Sequence, residues 1–408
     1  MRDPRRCVVL KCGELVLKGR NRWRFEAALR ANLRAALDPV GRVRITRREG
    51  VFLVSGDVPY DEMLDRCRDV IGVTMLHPAV RAPRSVEEAG RAAVGLVAEA
   101  TERGGVRTFA VRARRRDKTF PLTSEQVGAR IGAAVNQATG LGVDLTNPDL
   151  EIGVEVDQRE ILVYTDRIPG QGGLPVGSTG RALVLLSGGY DSPVAAHRAM
   201  RRGLQCDFVH FTGLPFADPR SVYKAYALVR QLGRYQPAAR LLVVALGRAQ
   251  RALAAAGAGK LGIVAQRRLM VMTASRLARR HGADALVTGD SLGQVASQTL
   301  QNLVVVEEAA DLPLLRPLLG FDKNEIMAEA ERIGTRAVSE LPDEDCCSML
   351  VHPITETRAE LADLTRLEDR LDAQAMADAL ADACQVYEPG TSLEAPSCGV
   401  AAAPLPTR

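Results

Sequence analysis

Two hydrophobic periods divide the chain, and they meet in a stretch that has neither. Up to residue 167, short alternating runs are mixed with amphipathic ones. The pattern predicts a strand over 7–12, a helix over about 23–37 closed by Asp38-Pro39, strands over 43–45 and 51–54, and a helix over about 60–70. Strand, helix, two strands and helix in such short pieces suggest a small ferredoxin-like unit. A second unit begins near Ser85, with a helix over 86–103 ended by Gly104-Gly105 and an alternating strand over 108–114. A helix over about 125–139 follows, capped by Thr123 or Ser124, and strands over 150–156 and 161–165 finish the unit. Residues 168–180 are rich in Gly and Pro and have no period, which marks the clearest domain boundary. Beyond them buried strands alternate with helices: 182–186, 193–202, 206–212, 219–232, 240–246, 262–281, 285–288 and 322–333. That alternation implies a doubly wound parallel sheet, which binds ligands beyond the carboxyl ends of its strands.

The first strand of that sheet runs into Ser187-Gly-Gly-Tyr-Asp-Ser-Pro193 and then into a helix. Glycines let the backbone approach a phosphate, and the helix N-terminus favours its charge. Proline in the first helical turn fits this arrangement. The loop lacks the lysine of G-x-x-x-x-G-K-[ST] and its spacing. Ser-Gly-Gly-x-Asp-Ser is instead the signature of pyrophosphatase loops, which split ATP between its α- and β-phosphates to adenylylate a substrate. A tight turn capping a helix is the bland alternative. His210-Phe211-Thr212 and Thr288-Gly289-Asp290-Ser291 fall at equivalent strand ends.

Charge adds a second partner. Residues 1–120 carry 26 Lys/Arg against 15 Asp/Glu, and residues 121–408 carry 28 against 34. A basic N-terminal third suggests a polyanion held by one end of the molecule, although uneven charge alone leaves a partnerless surface open. Lys18, Arg20 and Arg22 surround Gly19 before a helix start, where phosphate contact competes with simple solvation of the helix end. Arg112, Arg114, Arg115, Arg116 and Lys118 crowd one strand end, and phosphate binding is the favoured reading there. Aromatic residues make up only 4% of the chain, so an aromatic stacking platform is not the expected mode of RNA recognition. No apolar run approaches a membrane span, and the basic N-terminus lacks a signal peptide's apolar core.

Eight cysteines without a regular framework point to a reducing cytoplasm. No Cys-x-x-Cys occurs and the five histidines show no metal spacing, so no resident metal site is expected from local motifs. Gly257, Gly259 and Gly262 match G-x-G-x-x-G without a preceding strand and are discounted as a dinucleotide fingerprint. Adjacent Cys346 and Cys347 lie in an acidic, Pro-containing loop. A neutral thiol pair and a strained vicinal disulfide are the structural alternatives. Beside an ATP-cleaving loop, a thiol loop suggests sulfur transfer, because a persulfide carries nucleophilic sulfur and adenylylation makes oxygen a leaving group.

Taken together, the chain to about residue 360 resembles the tRNA 4-thiouridine synthetase (tRNA uracil 4-sulfurtransferase) family. The resemblance rests on Glu14-Leu-Val-Leu-Lys-Gly-Arg-Asn-Arg22, on 111–124, on Gly172-Gly-Leu-Pro-Val-Gly177 with the 187–193 loop, on 288–299 and on Asp345-Cys-Cys347. It implies an N-terminal ferredoxin-like domain (1–80), a THUMP RNA-binding domain (81–167) and an α/β pyrophosphatase-loop domain related to the adenine nucleotide alpha hydrolases (182–355), joined by the Gly/Pro-rich linker (168–181); a helix over about 357–384 and a flexible tail, within 356–408, follow in this chain's own pattern. It also implies ATP with Mg²⁺, contacts to ATP from Leu185, Leu186, His210, Phe211, Arg267, Gly289 and Gln298, and a persulfide on Cys346. Ser187, Gly188, Gly189 and Ser192 belong to the loop itself; Asp191 and Asp290 match motif acids near the nucleotide or Mg²⁺. Cys347 is the nearest thiol to take up the oxidation, with Cys398 more distant. The implied partners are tRNA, a cysteine desulfurase and a sulfur-carrier protein for thiazole synthesis; a homodimer is left open. The chain departs from longer members in showing no rhodanese-like continuation after Cys347. A catalytically idle tRNA-binding protein, or a pyrophosphatase-loop enzyme with another acceptor, is the competing reading.

Overall fold

The computed structural model describes residues 5–48, 50–342 and 352–389. Two compact units divide the chain, Met1–Gly173 and Leu174–Arg408.

The first unit is built on one sheet. Its strands are β1 (Arg6–Lys11), β2 (Val43–Arg48), β3 (Val51–Gly56), β4 (Met75–Ala82), β5 (Thr108–Arg115), β6 (Gly142–Val143), β7 (Leu150–Val156), β8 (Ile161–Tyr164) and β9 (Ile168–Pro169). They run β2-β3-β1-β4-β8-β7-β5-β6, with β9 paired to β4. Alternation along β1 gives each face its own core. Val8 and Leu10 pack with Leu29, Leu33 and Leu37 of α1 (Arg22–Leu37) and with Met63 and Cys67 of α2 (Tyr60–Asp69). Cys7 and Val9 pack with Leu53, Ala79, Leu162 and Tyr164. The second pair of helices, α3 (Val86–Glu102) and α4 (Ser124–Thr139), covers β5, β7 and β8 around Phe109, Ile131 and Ile152. Thr123, not Ser124, caps α4, in a reciprocal box with Gln126.

The expected border at 80/81 is not a gap between sheets. Strand β4 pairs with β1 from Met75 to Val80 and with β8 from Ala79 to Ala82, so the ladder passes from one half to the other without a break. The 168–181 stretch is likewise no free linker. Ile168 pairs with Leu76, Gly172 N donates to Val73 O at 2.8 Å, and Gly180 already begins the next sheet.

In the second unit β10 (Gly180–Leu185), β11 (Leu204–Thr212), β12 (Leu241–Ala245), β13 (Ala285–Val287) and β14 (Leu314–Leu315) are parallel, in the order β14-β13-β10-β11-β12. The antiparallel β15 (Gln385–Tyr387) closes the β12 edge. The helices are α5 (Asp191–Arg201), α6 (Arg220–Leu232), α7 (Gly247–Ala255), α8 (Gly262–His281), α9 (Leu300–Glu308), α10 (Lys323–Arg332), α11 (Arg336–Ser339), α12 (Leu361–Leu371) and α13 (Ala373–Asp382). The order turns back on itself at β10, whose neighbours are β11 and β13. Such a switch point opens a crevice at the carboxyl ends of the strands.

The helix expected from 356 onward, set apart from the 182–355 domain, instead packs into that domain's core, and the tail expected after it lies outside the described residues from 390 on. Leu364, Leu367, Met376, Ala377 and Leu380 lie in the same core as Leu183, Val209 and Leu242. Arg268 of α8, only 3% exposed in its side chain, pairs with Glu368 and Glu308. Arg276 and Arg280 pair with Asp378 and Asp382. One long predicted helix becomes two because Asp372 adopts a positive φ of 49° and caps α13.

Candidate active site

Strand β10 is buried, and its last residues deliver the chain to the crevice. Leu186 N donates to Val209 O at 2.8 Å, and Leu185 packs against the core. The turn that follows is closed by its own hydroxyls. Ser192 Oγ accepts the Ser187 amide at 2.9 Å and lies 3.1 Å from Ser187 Oγ, which accepts the Gly189 amide at 3.3 Å. Gly188 spans the tip between them. Tyr190 gives α5 no side-chain cap, so the positive end of that helix is directed into the loop.

Gly289 shows how tightly β13 meets this loop. A Cβ there would lie 2.7 Å from Ser192 N and 2.8 Å from Asp191 C, a distance no side chain tolerates. Its neighbour Asp290 is buried, accepts from Thr288 Oγ1 at 2.8 Å and Gln298 Nε2 at 3.3 Å, and forms ion pairs with Arg316 Nε at 3.5 Å and, in a short contact, with Arg267. Burial pushes the Asp290 carboxyl up, but the Arg267 and Arg316 charges and the Thr288 hydroxyl outweigh it and hold the group below the usual range. Arg267 Nη1 also donates to Ser297 O at 3.0 Å, which ties α8 to the 294–298 loop. Gln298 Oε1 is buried without a hydrogen-bond partner among the described residues, which leaves an unmet acceptor beside this cluster.

On the β11 side, His210 is buried with Nδ1 2.9 Å from Leu186 O, which fixes its ring. Phe211 points the other way, into the core with Val209 and Leu183, leaving its main chain to serve a ligand at the strand end. The loops after β10, β11 and β13 therefore bring Ser187, His210 and Asp290 to the same end of the sheet.

Neighbours with no motif to announce them complete the crevice. Gln294 Nε2 reaches Asp191 Oδ2 at 3.2 Å and Lys323 Nζ reaches Oδ1 at 3.5 Å. Lys323 lies 5.1 Å over the Tyr190 ring. It opens α10 behind the capping Asp322, and only the sheet topology brings it back to the loop. Cys346 and Cys347 lie outside the described residues, as does Cys398. The described chain on either side of the pair is tied to the site. Ser339 Oγ donates to Gly189 O at 3.2 Å and Lys224 Nζ to Leu341 O at 2.6 Å. Downstream, Thr299 Oγ1 donates to Thr357 O at 2.7 Å and the fully buried Asn302 bonds Glu356 O and the Ala359 amide. Among the described residues no group of three His, Cys, Asp or Glu side chains is placed to hold a metal ion. Among the described residues no helix is long and apolar enough to cross a membrane.

The basic residues of the first unit divide by what they touch. Arg116 is an internal partner, 2.7 Å from the buried Glu155, and Arg115 Nη1 bonds Phe120 O at 3.2 Å. Arg112 bonds Leu145 O at 2.5 Å. Arg114 and Lys118 stand exposed. Arg22 is held by Glu26 at 2.8 Å and Lys18 lies over Phe25, whereas Arg20 and the adjoining Trp23 are open to solvent. The five cations of 112–118 are thus a fold element in part and a surface in part.

Comparison with known proteins adds the following. The family model described as "Thiamine biosynthesis protein (ThiI)" matches residues 177–373, a THUMP domain matches 83–166 and a ThiI ferredoxin-like domain matches 7–76. A probable tRNA sulfurtransferase of Nocardia farcinica is 55% identical over 389 residues, 94% of each chain. One from Caldanaerobacter subterraneus is 38% identical, covering 91% of this chain and 97% of its own. A crystal structure of a 4-thiouridine synthetase–RNA complex with bound ATP superposes with a TM-score of 0.87 at 34% identity, over 94% of this chain and 99% of that one.

Proposed function

Because the chain belongs to the tRNA sulfurtransferase family, we propose that it uses ATP to activate O4 of uridine 8 in tRNA and then transfers sulfur from a Cys346 persulfide to C4, giving 4-thiouridine. The observation that carries this is the hydroxyl-closed 187–192 loop at the switch point, pressed against Gly289 and flanked by Lys323 and the Arg267–Asp290 pair. In the first step uridine O4 attacks the α-phosphorus and pyrophosphate leaves beneath the loop amides and the α5 N-terminus. Lys323 and the helix end offset the charge that develops there. Mg²⁺, carried with the triphosphate, would meet the more exposed carboxylate of Asp191 before the buried one of Asp290, and would neutralise the leaving pyrophosphate.

In the second step the terminal persulfide sulfur bonds to C4 and AMP departs. Thiolysis of the resulting disulfide by a second cysteine releases the thiolated base and leaves a protein disulfide, which an external thiol must reduce. The described thiols do not suit either role. Burial pushes Cys7, Cys12 and Cys67 up to about 12, Cys384 up to about 11, and Cys206 further still. That supports placing the chemistry on Cys346, with Cys347 or Cys398 resolving it. A cysteine desulfurase is the proposed persulfide donor. The name of the matching family model favours a second acceptor as well, a sulfur-carrier protein serving thiazole synthesis.

Purified protein with tRNA, ATP, cysteine and a desulfurase should release pyrophosphate and yield 4-thiouridine in digested tRNA by mass spectrometry. Pyrophosphate without thiolated nucleoside would move the activity to another acceptor; neither product would leave an idle RNA-binding protein.

The proposed grip on tRNA lies in the first unit, and its arginines are not interchangeable. Neutralising Arg114 and Lys118 together should lower the log–log salt slope of tRNA binding by up to about one per lost phosphate contact, at unchanged thermal midpoint. Arg116→Ala should behave oppositely, costing about 2 kcal/mol of stability because Glu155 is left buried with fewer partners, with little change in slope. Equal slopes for all variants would show that Arg114 and Lys118 do not meet phosphate.

A further inference from the structure

A hollow that no motif announced opens at the same edge of the parallel sheet. After β11, the turn 213–216 folds back, with Phe216 N donating to Gly213 O at 3.0 Å. It is pinned to the start of α7: Leu246 N donates to Thr212 O at 2.8 Å and Gly247 N to Leu214 O at 3.1 Å. A Cβ on Gly247 would lie 2.3 Å from Gly213 O, so the approach requires glycine. This close packing brings Phe216 against Arg248 and Arg251, which are one helical turn apart on α7. With Pro215 they line a cavity of about 430 Å³, within the range of small-ligand sites. Phe216 is 43% exposed, and the Arg251 guanidinium lies 4.7 Å from its ring centroid.

Three things about this place point to one ligand chemistry. An exposed aromatic ring offers a stacking face to any base. Two arginines beside it supply cation–π support and phosphate contacts. The position is the third. Strands β10, β11 and β12 are successive neighbours, so the chain segments that form the hollow follow β11 and β12, on the same side of the sheet as the 187–192 loop that follows β10.

We infer that this hollow receives an unpaired nucleotide of the RNA substrate flanking the one that is modified. Its base stacks on Phe216 and its phosphates meet Arg248 and Arg251. RNA is read through unstacked bases set on aromatic and guanidinium planes, and a base modified at O4 must leave its pairing to be reached. The inference rests on the tRNA reading above. The adenine of ATP has the same stacking chemistry, so the test separates the two sources.

The experiment is steady-state thiolation by the full chain with tRNA and ATP varied in turn. Phe216→Ala should raise KM for tRNA about tenfold or more and leave KM for ATP unchanged, and Phe216→Tyr should restore it. Arg248→Gln with Arg251→Gln should lower the salt slope of tRNA affinity by about 1.4, two single-strand contacts. Thermal midpoints equal to that of the unaltered protein show that these variants are folded. An unchanged KM for tRNA in Phe216→Ala overturns the inference, and a raised KM for ATP reassigns the hollow to the cosubstrate. Absence of thiolation by the unaltered protein overturns the tRNA reading beneath it.

Discussion

Cys346→Ser is expected to reduce desulfurase-driven 4-thiouridine formation to background while tRNA-dependent pyrophosphate release continues. A hydroxyl carries no persulfide, but adenylylation needs only the loop, ATP and the uridine. No buried thiol can step in, since burial of Cys7, Cys12, Cys67, Cys206 and Cys384 disfavours the thiolate that accepts and passes sulfur. Supplying sulfide should partly rescue the variant if delivery is the only function of Cys346. Full activity without rescue would move the sulfur site to Cys347 or Cys398. The partner variant Cys347→Ser separates two resolving routes: about one turnover followed by a stall if Cys347 resolves, continued turnover if it does not.

Asp191→Ala should act on the other half of the reaction, lowering pyrophosphate release and thiolation together by on the order of 10²-fold or more. The carboxylate holds Gln294 at 3.2 Å and Lys323 at 3.5 Å in the first turn of α5. Its loss frees the ammonium that faces the developing charge and removes the acid nearest the phosphates. Binding of tRNA, measured without ATP, should remain within about twofold, because Asp191 is not among the proposed tRNA contacts. Near-normal thiolation by this variant would sink the assignment of the 187–192 loop.

What could be seen in the sequence followed the range of the forces involved. The strand, glycine turn and helix around Ser187 are local, and period and turn chemistry reveal them. So does the alternation that ends four loops at one sheet edge. Arg116 read as a phosphate contact because its partner Glu155 lies across the β5–β7 ladder, where the register puts Arg114 opposite Glu155 and sends Arg116 onto the same carboxylate. Lys323 carried no signal, since its meeting with Asp191 depends on how α10 returns to the loop. The C-terminal helices looked like an appendage because amphipathic pattern shows a face and not what covers it. The short β15 and β14 strands offer two or three residues each, too few to establish a period.

Arg267 and Arg268 are neighbours on α8 with opposite allegiances, one to Asp290 at the crevice and one to Glu368 on α12. Glu368 is one hundred residues further along the chain. Glu308 reaches the same guanidinium from much nearer in the chain, but at ribosomal speeds the Glu368 carboxylate follows the cation by about 5–20 s. Strand β12, too, has an open edge until β15 arrives. The second unit therefore cannot finish closing around its buried charge as it is made. Its crevice, although it is built around residues 187–192, is fully backed only once α12 and β15 have been made.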